Sequence, residues 1–169
     1  MNIKRIFLAS IIVAAASFPT TFAAHYPHYL YDNPSYPMVD AHMDTATYLD
    51  DDSVVLKYKS DHGVIWAQYQ IFAKFDYDYS TGNENLRNVD KPKLLWFYMP
   101  ADPNNHCHSL VNIDGRSYIL PPFIENIAYV SYDSGAHWDP FYTNDTTGCN
   151  YTLYKGFWMG INIVESKLL

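Results

Sequence analysis

Histidines beside a cysteine and clustered carboxylates are the side chains here whose spacing could support chemistry. His106 and His108 flank Cys107. Imidazole nitrogens and a thiolate are the ligands that zinc or copper takes. On an extended segment, residues two apart share a face and the residue between them faces the other way. Cys107 would then point away from both imidazoles, and polar loop histidines are the preferred reading. A second metal-capable group lies near the N-terminus. Were His25 the first residue of a processed chain, its amine and ring could chelate copper, with His28, His42 or His137 completing the site. That cut would put bulky Phe22 three residues upstream, where processing favours a small side chain. Asp50, Asp51 and Asp52 lack the alternating ligands and closing glutamate of a calcium loop, and read as a solvated turn. Glu125, Asp133 and Asp139 could supply the acid and base of a glycosidase, but that mechanism depends on a carboxylate separation the sequence leaves open. No G-x-S-x-G, P-loop or H-E-x-x-H occurs. No cofactor is expected, and a non-enzymatic reading is preferred over an enzyme.

The segments around these residues begin with a processing signal. Lys4 and Arg5 precede the apolar run IFLASIIVAAASF, which is too short to span a bilayer comfortably. Thr21 and Ala23 are small residues at the spacing a signal peptidase requires, so residues 1–23 are expected to be removed after Ala23. The protein is therefore expected to be exported, to the periplasm or the cell surface and beyond. No later run is long and apolar enough to be a membrane span. The chain has 169 residues, with 11 Lys and Arg against 18 Asp and Glu. Taking Lys4 and Arg5 from the 11 leaves 9, so the processed chain is more acidic than the whole. Phosphate contacts need Lys and Arg, which disfavours nucleic acid and anionic membrane surfaces as partners. An envelope protein, a host-surface protein or a glycan is the expected partner class.

The remainder divides into a Pro- and Tyr-rich lead-in, residues 24–44, and one domain, residues 45–169. Pro27, Pro34 and Pro37 forbid a helix in the lead-in. It reads as an extended strap held by its tyrosines, and Tyr26, Tyr29, Tyr31 and Tyr36 form the candidate binding surface. Tyrosine suits that role because it offers a large contact area with a polar tip. Cys107 and Cys149 are the two cysteines, and in an exported chain they are expected to pair. Closing that loop is worth roughly 4 kcal/mol in the chain-entropy account.

Alternation marks the strands. TATYLDDDSVVLKYK reads as two strands about an acidic turn. In HGVIWAQYQIFAKFDYDY, Ile65, Ala67, Tyr69, Ile71 and Ala73 fall on one face, and Trp66, Gln68, Gln70, Phe72 and Lys74 on the other. STGNENLRNVDKP reads as a loop, KLLWFYMP as a strand, and Asp114-Gly115 as a hairpin turn. At the C-terminus, Leu153, Phe157, Ile161 and Val164 recur at helical spacing, with Thr146 and Thr147 as candidate caps. Gly156 and Gly160 oppose a helix on propensity, yet small residues four apart allow one to pack closely on a sheet. The expected fold is α+β: an antiparallel sheet with a C-terminal helix on one face, Phe157 and Trp158 near the contact.

Ser131, Asp133, Gly135 and Trp138 in SYDSGAHW fit S-x-D-x-G-x-x-W. That spacing resembles the Asp box, a hairpin repeated on the blades of sialidases and related β-propellers. Propellers need repeated blades, and this chain has a single copy. The resemblance implies a structural turn, not a shared enzyme. Tyr48, Asp50 and Ser53, the SYDSGAHW turn and the closing YKGFWMGINIV together resemble small secreted proteins of unknown function from diderm bacteria. They are also distantly similar to the surface-adhesin protein E family. That resemblance implies an antiparallel α+β fold and an adhesive or surface role, and it transfers no catalytic residues.

Overall fold

A computed structural model of the chain describes residues 26–145 and 150–168. Among the described residues nine strands run from β1 to β9, and one α-helix, α1 (Tyr151–Leu168), follows them. The main sheet is antiparallel in the order β1 (Met38–His42), β2 (Thr45–Ser60), β3 (Gly63–Asp78), β5 (Lys93–Pro100), β8 (Ile127–Ser131), β9 (Asp139–Tyr142). It curls into a half-barrel. β4 (Asn83–Val89) and β5 pair one after the other along β3: Ala73 faces Val89 and Gln70 faces Lys93. β6 (Ser109–Ile113) and β7 (Arg116–Leu120) form a separate hairpin about Asp114-Gly115.

The alternation in β3 explains the layering. Trp66 and Phe97 face α1, where they meet Phe157, Ile161 and Val164. Ile65, Ala67 and Tyr98 face the opposite side, under Val111, Ile113 and Leu120 of the β6–β7 hairpin. Farther along that side the lead-in takes over, and Leu30, Tyr48, Ile71 and Phe75 form a third cluster. Both faces of β3 are thus covered, which is why Ile65, Trp66, Ala67 and Gln68 are consecutive buried residues. Fully burying each large apolar side chain contributes about 1.5–3 kcal/mol.

The C-terminal helix forms despite its glycines because packing outweighs propensity. Gly156, Phe157, Gly160, Ile161 and Val164 make its buried stripe. A Cβ at Gly156 would overlap Gln70 Nε2, and one at Gly160 would overlap Gln68 Oε1 and come within 2.6 Å of Trp66 Nε1. Trp158 is more peripheral than its neighbour Phe157: it is 38% exposed and donates its indole N–H to Thr143 O at 3.3 Å. Thr146 and Thr147, the expected caps, lie outside the described residues.

Other expectations change. The acidic stretch Asp50–Asp52 is a bulge inside one long strand, not a turn between two. Asp50 pairs with Tyr69 and Val55 with Ala67, so β2 carries extra residues here. Ser53 fills the gap: its hydroxyl accepts Tyr69 N–H at 2.8 Å and donates to Asp50 O at 2.5 Å. The polar segment expected to be a loop contains strand β4, stabilised by Arg87 bonding Asp76 at 2.9 Å and reaching Asp44 at 3.4 Å. Its exposed, polar residues carry no alternation to announce a strand. Cys107 is a free, exposed thiol, so the expected bridge to Cys149 is not formed; Cys149 itself lies outside the described residues. Cys107 sits in an exposed segment just before β6, beyond the buried layers.

Candidate binding surface

The four lead-in tyrosines divide into two pairs. Tyr26 and Tyr36 are half-buried and pack on the third cluster. Tyr26 meets Phe75 edge-on at 5.3 Å and donates its hydroxyl proton to Met43 O. Tyr29 and Tyr31 are displayed, at 43% and 64% exposure. Between them Leu30 is buried and acts as the anchor.

The loop holding these two rings is heavily bonded. Leu30 N donates to Tyr36 O at 3.0 Å, Asn33 N to Leu30 O at 3.1 Å, and Tyr36 N to Asn33 O at 2.9 Å. Ser35 N donates to Asn33 Oδ1 at 3.0 Å. At its base Met38 N reaches His28 O at 2.9 Å, and Leu49 N of β2 reaches Pro37 O at 3.0 Å. Tyr48 adds a clamp from below, donating its hydroxyl to Pro27 O at 3.1 Å. Burial pushes the Tyr48 hydroxyl up to about 12, keeping it protonated and able to donate. Within this frame Tyr31 and Asp32 both adopt left-handed backbone, at φ 58 and φ 55. Residues other than glycine rarely do so, and each costs roughly 1–3 kcal/mol.

An acidic surface adjoins the loop. Asp51 N of the β2 bulge donates to Ser35 O at 3.0 Å. Burial raises the Asp51 carboxyl, with Asp52 and Asp50 adding repulsion and Lys167 opposing it. Asp32 is exposed beside Tyr31.

The SYDSGAHW residues make a tight turn between β8 and β9. Ser131 Oγ accepts Gly135 N–H at 2.7 Å and donates to Asp133 Oδ1 at 2.8 Å. Asp133 also accepts His137 N–H at 2.9 Å, and its other oxygen lies 2.5 Å from His137 Nδ1. Gly135 sits at φ 89, where a side chain would be strained. Trp138 folds back onto Tyr98, ring centroids 5.9 Å apart. Asp133 is thus engaged in the turn, while Glu125 and Asp139 are exposed.

His106 and His108 are exposed on either side of Cys107. Among the described residues no group of three or more His, Cys, Asp or Glu is placed to hold a metal ion. His25 lies outside them. Gln68 and Gln70, which are not among the residues singled out from the sequence, are both buried in β3 beneath α1. The sequence signal for them is two amides on one face of an alternating strand, matched by two glycines four apart in the C-terminal helix.

No protein-family model matches this chain, and neither a curated protein nor a solved structure matches it.

Proposed function

We propose that this is an exported, non-enzymatic binding protein of the envelope or cell surface, adhesin-like in its mode of action. In this reading it recognises a partner protein or glycan through the loop that displays Tyr29 and Tyr31. One observation carries the proposal: two adjacent left-handed residues, Tyr31 and Asp32, in a loop anchored by Leu30 and closed by backbone hydrogen bonds. Backbone strain persists where the surroundings over-determine it, and it concentrates at sites that must be pre-organised. A rigid loop presenting two aromatic rings loses little entropy on binding. The adjoining carboxylates favour a partner with basic groups, which tyrosine faces also attract.

The test is crosslinking capture of the tagged protein on its own intact cells, read by mass spectrometry. The Tyr29→Ser/Tyr31→Ser double variant is expected to lose the dominant partner while keeping the parent's near-ultraviolet circular dichroism. Capture undiminished by that variant would remove the loop from the proposal. Tyr26→Ser and Tyr36→Ser are instead expected to lower stability, because those rings pack inward.

A further inference from the structure

The β6–β7 hairpin stands apart from the main sheet, and its turn decides which of its backbone groups are used. Asp114 and Gly115 both adopt positive φ, 52 and 78, so the loop is the two-residue kind that matches strand twist. The pair flanking such a loop, Ile113 and Arg116, is closely bonded, and bonded pairs alternate along an antiparallel ladder. Val111 with Tyr118 is the next bonded pair. The N–H and C=O groups of Ser117 and Ile119 therefore point away from β6. Among the described residues no other strand pairs with β7. Ser117 is exposed, and Ile119 and its cross-strand neighbour Leu110 are 63% and 73% exposed.

A groove of about 340 Å³ follows this edge. The four residues from Arg116 to Ile119 form one wall, and residues 133–136 of the β8–β9 turn form the other. The register of β7 runs without a bulge, and the strand holds no proline. Its one charge, Arg116, is exposed and makes no ion pair among the described residues. The acidic side chain on the opposite wall, Asp133, is already held by Ser131 and His137. A straight strand edge with outward-facing backbone groups and exposed apolar side chains is a template for another strand.

We infer that an extended, carboxylate-bearing segment of a partner protein adds to β7 in this groove as a third, antiparallel strand. Main-chain bonds to Ser117 and Ile119 supply the affinity, and side chains at alternate positions supply the selectivity. Charge chooses the occupant. Arg116 calls for a carboxylate opposite it, and neither β6 nor β7 contains one, so the hairpin strands of a second copy do not supply it. The register follows: apolar residues opposite Ile119 and Ser117, and an acidic one opposite Arg116. This surface is separate from the tyrosine loop and does not depend on it.

The experiment is a titration of the ¹⁵N-labelled protein with the peptide acetyl-Thr-Val-Thr-Val-Glu-amide, followed by NMR. Saturable movement of the Ser117 and Ile119 amides is expected, together with slower exchange of their protons with solvent. The same peptide with N-methylated valines should not bind, because its valines have lost the N–H groups that face β7. The peptide ending in Lys should bind about tenfold more weakly than the one ending in Glu. Arg116→Glu should reverse that preference. Sedimentation of the parent without peptide covers the remaining occupant and should show a monomer. Four results would overturn the inference: no saturable movement with the Glu peptide up to about 5 mM, equal binding of the N-methylated peptide, a preference unchanged by Arg116→Glu, or a dimer that Ile119→Lys dissolves, which would give the edge to a second copy.

Discussion

Asp133 serves its turn through both carboxylate oxygens, and the pH behaviour of the turn follows from that. Hydrogen bonds from the His137 ring and backbone, then from Ser131, hold its carboxyl far below the ordinary 3.8. The same carboxylate raises His137 above the ordinary 6.5. Asp133's contribution is present above 3.8 and lost as pH falls through its depressed value. His137's is complete below 6.5 and fades as pH rises through its raised value. The turn is therefore tightest between those limits. A ring-proton titration should place the His137 midpoint above 6.5, with Asp133→Asn returning it toward 6.5. A parent midpoint at or below 6.5 would contradict the pairing. Sequence spacing was enough to indicate this turn, because Ser, Asp and Gly act here through local bonds. It could not reveal that the buried Gln70 Nε2 lies against Gly156 without a hydrogen-bond partner, since that depends on how a helix more than 80 positions away lies across the strand.

Local preference and packing disagree most clearly in α1, at Gly156 and Gly160. Propensity alone says that alanine would stabilise an 18-residue helix by about 1 kcal/mol at each position. The structure predicts the reverse sign. A methyl group at either site collides with Gln70 or Gln68 side chains that are themselves buried. Gly156→Ala and Gly160→Ala should each destabilise by roughly 1–3 kcal/mol, as overpacked cores do. Urea denaturation would check this, and a stabilised variant would mean that the helix can lift from the sheet at little cost. The helix was legible because Phe157, Ile161 and Val164 keep its period, and β3 because it alternates. β4 was not legible, since its pairing is held by Arg87 and two aspartates contributed by other segments. The bulge at Asp50–Ser53 escaped for a similar reason. Three aspartates look like a turn until a serine hydroxyl substitutes for the missing ladder bonds.

At the scale of the molecule, the first strand and the last element hold each other. Asp40 of β1 accepts Lys155 Nζ and Thr152 Oγ1 of α1, more than 110 positions later. Burial works to raise the Asp40 carboxyl, but the bonds from Lys155 and Thr152 overcome it and leave it below 3.8. Stability from this clasp is present above that ordinary value and lost as pH falls through the lowered one. Asp40→Ala should cost roughly 1.5–3 kcal/mol at neutral pH, because it removes two bonds to a charged acceptor and leaves a part-buried lysine. The cost should shrink in acid, where the parent loses the same bonds. An equal cost at both pH values would assign it to packing alone.

The ends of the sheet have a consequence for the protein at high concentration. β9 is four residues long and contains Pro140, which has no N–H to offer. β1 changes register between Met38 and Asp40, and β4 exposes a polar edge. Short, bulged, proline-bearing and polar edges are poor templates for another strand. At these three edges a neighbouring copy therefore finds little straight ladder to extend, which works against stacking into cross-β fibres when molecules are crowded.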